Sequence, residues 1–301
     1  MQNTWQTFLT EHGARLDAAQ HLQFGNEADS IAQIATQPVV MVLDHLGVIQ
    51  VAGADAQAFL QGQLSNDIRE LAEKRFQLSA YCNPKGRMLA QFFVVPDGER
   101  YLLVLPRELL APTLQRLKMF VLRSQVTLED VSEQRVCLGL ANVDQQVIAD
   151  LVLPDTDYQL ASKDGLLAGK LPAPVSRWLL LVSAQDAPAL WASLGATCQP
   201  TGAGVWHWLD IQAGIPGVWP QTREEFVPQM LNLELINGVN FKKGCYPGQE
   251  IVARMHYLGK PKRRMYRLRL EETHNIEPGT DIYAADGDGQ SAGKVVIAQP
   301  G

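Results

Sequence analysis

The apolar residues of this chain switch between strand and helix periodicity repeatedly and in no fixed order, and that sets its fold class. Val39-Val-Met-Val-Leu43 and Gly47-Val-Ile-Gln-Val51 read as strands joined by the turn-forming Asp44-His-Leu-Gly47. A helix is expected from Gly53 to Gly62, with Asp55 as its N-cap and Phe59, Leu60 and Leu64 facing inward. Further strands are expected at Met88 to Val95, Tyr101 to Leu105, Val136 to Leu140 and Trp178 to Val182. Leu110, Leu114, Leu117 and Val121 recur at helical spacing, and another helix is expected near Ala187 to Leu194. No strict βαβ rhythm emerges, so the chain reads as α+β. Residues 1–36 read as a loosely packed helical extension, with Trp5, Phe8, Leu9 and Leu16 at helical spacing. Residues 37–258 form the core, with a second lobe at about 136–203, and residues 259–301 form a small all-β unit. In that unit Tyr266, Leu268 and Leu270 alternate with Arg267 and Arg269 as in a half-buried strand, followed by strands at Asp281 to Tyr283 and Lys294 to Ile297.

At 301 residues and 46% hydrophobic, the chain can bury a large core. It has no apolar run of eighteen residues and no basic, apolar leader at Met1, so a cytoplasmic protein is expected. The net charge of −6 is uneven: nine basic residues against Glu250 give +8 between Lys242 and Arg269, leaving −14 for the remainder. Such a segment suits an anionic ligand, while the acidic remainder disfavours general nucleic-acid affinity.

Cys82, Cys137, Cys198 and Cys245 lie 55, 61 and 47 residues apart, with no Cys-x-x-Cys and no Cys/His pair at zinc-finger spacing, so no permanently bound metal is expected. Three of them read as small buried hydrophobes. Cys245 differs, because Lys242-Lys-Gly-Cys-Tyr-Pro-Gly-Gln-Glu250 brackets it with glycines, cations and a carboxylate. The segment reads equally as a tight turn, with Gly244 and Gly248 at positive φ, or as the setting of a reactive thiolate favoured by nearby cations. Asn83-Pro-Lys-Gly86 reads as a hairpin turn between two strands.

Lys-Gly-Cys-Tyr-Pro-Gly-Gln-Glu, with Phe226-Val-Pro-Gln-Met-Leu-Asn-Leu233 before it and Ile251-Val-Ala-Arg254 after it, resembles the signature of the YgfZ family, folate-binding proteins of iron–sulfur cluster maintenance. Gly53 to Asp67, Tyr81 to Met88 and Leu209 to Pro216 resemble other segments of that family, so the likeness spans residues 38 to about 270. The resemblance implies a T-protein-like folate-binding core of two lobes around a central cleft. It also implies a small C-terminal β-barrel, which the three short strands expected here leave incomplete.

For function, it implies a tetrahydrofolate-binding accessory factor that assembles or repairs iron–sulfur clusters in client enzymes, not an enzyme in the ordinary sense. Cys245 and Lys243 would be its working residues. Lys243, Tyr246, Gln249, Glu250, Arg254, Gln63, Asn232 and Trp208 would face the folate. Expected partners are folate and iron–sulfur client or assembly proteins, with no membrane, and a monomer is expected. Gln212 stands where the related aminomethyltransferases carry an acid, and nothing matches Asp67 to their folate-side aspartate, which argues against the glycine-cleavage reaction. Two other readings stay open: a folate-dependent one-carbon transferase, and an RNA-binding module suggested by Lys260-Pro-Lys-Arg-Arg264.

Overall fold

The computed structural model of the chain describes residues 4–17, 20–71, 74–143, 147–259, 261–270, 276–284 and 289–299. Its core is built on two mixed-length sheets. The strands are β1 (Val39–Val42), β2 (Leu46–Ala52), β3 (Gln77–Cys82), β4 (Met88–Asp97), β5 (Arg100–Pro106), β6 (Thr127–Asp130), β7 (Arg135–Ala141), β8 (Leu160–Lys163), β9 (Leu166–Leu171), β10 (Arg177–Ser183) and β11 (Gln199–Thr201). The first sheet runs β3-β4-β5-β2-β6, all antiparallel. The second runs β8-β9-β10-β7-β1-β11, with β11 parallel to β1. Although β1 and β2 are consecutive, they part into different sheets at the Asp44-His45 corner. Neither sheet closes into a barrel.

Among the described residues seven α-helices pack around them: α1 (Thr4–Glu11), α2 (Glu27–Gln33), α3 (Ala56–Gln61), α4 (Arg107–Lys118), α5 (Ala187–Gly195), α6 (Ala203–Ala213) and α7 (Gln249–Tyr257). The second sheet is buried on both faces, and strand alternation sorts its side chains. Val40, Val42, Leu138, Leu140, Trp178, Leu180 and Val182 face α1 and α5. Val39, Met41, Cys137, Leu179 and Leu181 face the core shared with the first sheet and with Trp206 of α6. Gly139 makes that second contact possible, since a Cβ there would lie 2.7 Å from Trp206 Cε3.

Four expectations change. The N-terminal segment is firmly docked: Trp5 and Leu9 are buried, and Trp5 stands edge-on to Trp191 of α5 at 6.0 Å, while Leu16 lies exposed. Asp55 does precede α3, but its carboxylate accepts the Gln125 amide at 2.7 Å and does not cap its own helix. Residues 266–270 do not form a strand: Tyr266, Leu268 and Leu270 are 79%, 62% and 57% exposed. Alternation can shelter a strand face only where a sheet offers an edge. Beyond residue 258 the described residues hold one two-stranded ribbon, Asp281–Tyr283 with Ser291–Lys294, in place of the strand expected at 294–297.

Candidate functional site

The cysteine loop is fixed from both sides by residues distant in sequence. It leaves two short 3-10 turns, Pro228–Leu231 and Leu233–Ile236, each ended by an asparagine in the left-handed region, Asn232 at φ 57° and Asn237 at φ 60°. Asparagine tolerates that region better than most residues, which explains its use at both corners. The loop then crosses the end of α3, and Lys243 turns inward. Its Nζ donates to the Gln61 carbonyl at 2.7 Å and to the Leu64 carbonyl, and it lies 5.0 Å from the centre of the Tyr246 ring. An ammonium at a helix C-terminus satisfies carbonyls that have no partner within the helix and complements the dipole. Burial pulls Lys243 down to about 8, and the Asp67 carboxylate opposes the shift.

At the far end of the loop, Gly248 takes φ 82° and caps α7. A Cβ there would lie 2.6 Å from Gly86 Cα and would also strike the Asn83 carbonyl. So the loop rests on the Asn83-Pro84-Lys85-Gly86 turn, which does join β3 to β4 as a hairpin. Asn83 organises that turn: its Oδ1 accepts the amides of Lys85 and Arg87 at 2.9 and 3.0 Å, and its Nδ2 donates to Glu224 at 2.9 Å.

Between these anchors Cys245 is exposed, and it is the only exposed cysteine of the four. Burial pushes the Cys82 and Cys137 thiols up to about 12 and raises that of Cys198. Tyr246 is buried under the Lys243 ammonium, and Gln249 opens α7 with its Nε2 donating to the Lys243 carbonyl at 3.3 Å. Glu250 and Arg254 are exposed on α7. Gln63 is half-buried, and its Oε1 is buried without a partner. Asn232 donates to the Met265 carbonyl at 2.9 Å, tying the segment after α7 to the core, while Trp208 is half-buried against the core from α6. Cys245, Lys243, Tyr246, Gln249, Glu250 and Arg254 therefore share one loop and helix, with Gln63 beside the end of α3. Trp208 lies on a different element. The geometry differs from a free cation at the mouth of a pocket in one respect: the Lys243 ammonium is turned to backbone carbonyls.

A second polar region escaped the sequence reading. Arg177 of β10, with no exposed side-chain surface, pairs with Asp210 of α6 at 2.6 Å, and its guanidinium lies 4.6 Å from the Trp206 ring centre. Burial raises Asp210, opposed by Arg177. Tyr158 is close enough for both charges to act on it. Gln91 of β4 donates to the Pro216 carbonyl at 2.6 Å in the loop that follows α6. Arg177 Nη1, the Tyr158 hydroxyl and Gln91 Oε1 are all buried without a partner. The available signal was register: Arg177 shares the inward face of its strand with Leu179 and Leu181, where a charge is out of place. Among the described residues no group of three or more His, Cys, Asp or Glu is arranged to hold a metal.

The chain is similar to known proteins in sequence and in fold. Residues 11–161 match the family profile described as GCVT N-terminal domain. The tRNA-modifying protein YgfZ of Pectobacterium carotovorum subsp. carotovorum is 31% identical over 267 residues, which cover 88% of this chain and 80% of that protein. The protein of the same name from Escherichia coli O127:H6 is 29% identical over 262 residues, covering 86% and 80%. In fold the chain is similar to the glycine cleavage system aminomethyltransferase T of Bartonella henselae, with a TM-score of 0.68 over 85% of this chain and 74% of that one at 16% identity. With a T-protein-like α+β fold and this likeness along most of its length, the chain belongs to the YgfZ family.

Proposed function

We propose that this protein is a tetrahydrofolate-binding accessory factor that supports the assembly or repair of iron–sulfur clusters in client enzymes through Cys245. The observation that carries the reading is the contrast among thiols: three are buried, and one stands exposed on a loop held by the Lys243 contacts and by the Gly248–Gly86 approach. A thiol in that position can ligate iron as thiolate. It can also attack the outer sulfur of a donor persulfide, so that Cys245 becomes the persulfide and the donor leaves as thiolate.

The residues present fit a folate. A pterin needs a flat apolar wall and partners for an edge of alternating donors and acceptors. The half-buried Trp208 would supply ring surface, while Gln91 Oε1, the Tyr158 hydroxyl and Arg177 Nη1 are buried polar atoms in want of partners. Bound tetrahydrofolate would supply a reduced pterin able to carry one-carbon units. Around it, Gln91, Tyr158 and the unpartnered Arg177 Nη1 would orient the ring by hydrogen bonds. The exposed Arg254 on α7 remains a cation for the carboxylates of the tail.

Calorimetric titration with tetrahydrofolate should give heat with wild type and weaker binding with Gln91→Leu. No heat with wild type would remove the folate part. Complementation tests the thiol: Cys245→Ala should fail to restore iron–sulfur enzyme activities in a knockout strain, and full restoration would remove that part. The T-protein-like fold also favours a second reading, a folate-dependent one-carbon transferase. It requires turnover of a methyl or aminomethyl donor with tetrahydrofolate. Gln212 speaks against it, because this neutral amide accepts a bond from Arg267 where the related enzymes place an acid.

A further inference from the structure

The exposed face of α7 carries aromatic rings and cations that engage little else in the described structure. Phe241, four residues before Cys245, stacks on His256 with ring centroids 3.7 Å apart and planes 13° apart. Tyr257 stands edge-on to both, at 6.2 Å from Phe241 and 4.8 Å from His256. His256 is exposed, Tyr257 is 64% exposed and Leu258 84%. Clustered apolar surface of this kind marks an interaction site more often than a scattered exposed leucine does.

The surrounding charge defines what could cover it. Lys242 and Arg254 are exposed on the same loop and helix, and the segment that leaves α7 adds the exposed Lys262 and Arg263. None of the four forms an ion pair among the described residues. Arg263 donates to the Ser291 carbonyl at 3.5 Å. Three acids lie nearby in the fold: Glu250 on α7, Glu70, which accepts a bond from Asn240 at 3.1 Å, and Asp281, whose carboxylate feels the charge of Arg263. The rest of the chain is acidic, so this cationic charge is local and not a general property of the surface.

Exposed rings bordered by unpaired cations complement a ligand that offers flat bases and phosphates together. A duplex stacks its bases away from such rings, whereas an unpaired loop can splay them out. We propose that this face binds single-stranded RNA, with a base stacked on the His256–Tyr257 cluster and phosphates held by Lys242, Arg254, Lys262 and Arg263. The proposal is independent of the folate reading. The relatives' name, tRNA-modifying protein, connects the family with RNA and assigns no contact surface.

The test is fluorescence anisotropy with a labelled anticodon stem-loop RNA, alongside a fully paired RNA of equal length. Wild type should bind the stem-loop more tightly than the duplex, with a log–log salt slope of about −3 for four phosphates. Tyr257→Ala should weaken binding about tenfold, the size of one lost stacking contact. Arg254→Glu with Lys262→Glu should weaken it further and flatten the salt slope. Both variants should keep the wild-type thermal midpoint, which separates lost contact from lost fold. Failure to bind at low salt, equal affinity for the duplex, or a Tyr257→Ala protein that binds like wild type would each overturn the proposal. Capture of an acidic protein without RNA binding would overturn it too. Because tetrahydrofolate heat is measured separately, loss of either property leaves the other readable.

Discussion

The ammonium of Lys243 lies 2.7 Å from the carbonyl oxygen of Gln61, a residue 182 positions earlier in the chain. This contact joins the cysteine loop to the end of α3 and assigns Lys243 a structural duty. Lys243→Met should leave the Gln61 and Leu64 carbonyls without a buried donor and cost about 1–3 kcal/mol in urea unfolding. Lys242→Met, at an exposed neighbour, should stay within about 0.5 kcal/mol of wild type. The pH dependence adds a check. Folded Lys243 releases its proton near 8, against an ordinary 10.5. Between those values the unfolded chain binds more protons, so wild type should gain stability over Lys243→Met as pH rises through that window. Equal stability of the two lysine variants would contradict this account.

Gly244 and Gly248 bracket the same cysteine but meet different surroundings. Nothing lies within 4 Å of a Cβ at Gly244, whose φ is not positive, while Gly248 combines φ 82° with contact to the Asn83–Gly86 turn. Gly244→Ala should be tolerated. Gly248→Ala should lower stability by at least about 1–2 kcal/mol from the backbone conformation alone, and the clash with Gly86 adds to it. Thermal midpoints of the two variants would distinguish them, and a Gly248→Ala protein as stable as wild type would show that the loop does not rest on the turn.

Thiol accessibility gives a direct count. At pH 8 a water-soluble alkylating reagent should modify one cysteine per folded chain, Cys245, and four after denaturation. Cys245→Ala should react at none in the folded state. Rapid modification of a second thiol in the folded protein would contradict the burial of Cys82, Cys137 and Cys198.

His45 and His207 meet across the seam between the β1–β2 corner and α6, with ring centroids 4.4 Å apart and Trp219 5.5 Å beyond His207. Burial lowers both imidazoles, His207 from 6.5 to about 4, and each also feels the positive charge that His21 can carry. Between pH 6.5 and about 4 the unfolded chain therefore takes up a proton that the folded one refuses at His207. Stability should fall as pH drops through that window, by up to about 1.4 kcal/mol per pH unit for each such group. His207→Leu should flatten that limb in urea titrations run from pH 7.5 downward. Parallel pH profiles for variant and wild type would contradict the assignment.

Some local signals in the chain held and others did not: Asp55 does not cap α3 and Gly244 is not at positive φ. Asn83-Pro-Lys-Gly86 is a hairpin turn because an asparagine side chain can accept amides two and four residues on, and the glycine supplies φ 71°. The helical spacing of Leu110, Leu114 and Leu117 became α4, and the period-two runs became the strands of both sheets. The sequence also marked Cys245 as the thiol that differs from the other three, since its neighbours are glycine, lysine and proline and not a core strand.

What needed the tertiary structure was every pairing across distance. Nothing near Lys243 in sequence says that its ammonium ends on Gln61 and Leu64. Arg177 meets Asp210, and His45 meets His207, only because α6 is laid against the corner and inner face of the second sheet. The alternation at Tyr266, Leu268 and Leu270 misled for the converse reason: periodicity describes which side chains could share a face, but a strand exists only where another strand accepts its hydrogen bonds. Composition and periodicity thus determined the α+β class, the turns and the identity of the exceptional cysteine. The direction in which each charged side chain turns was decided by burial, because a charge removed from water goes where a carbonyl, a carboxylate or an aromatic face replaces the lost hydration.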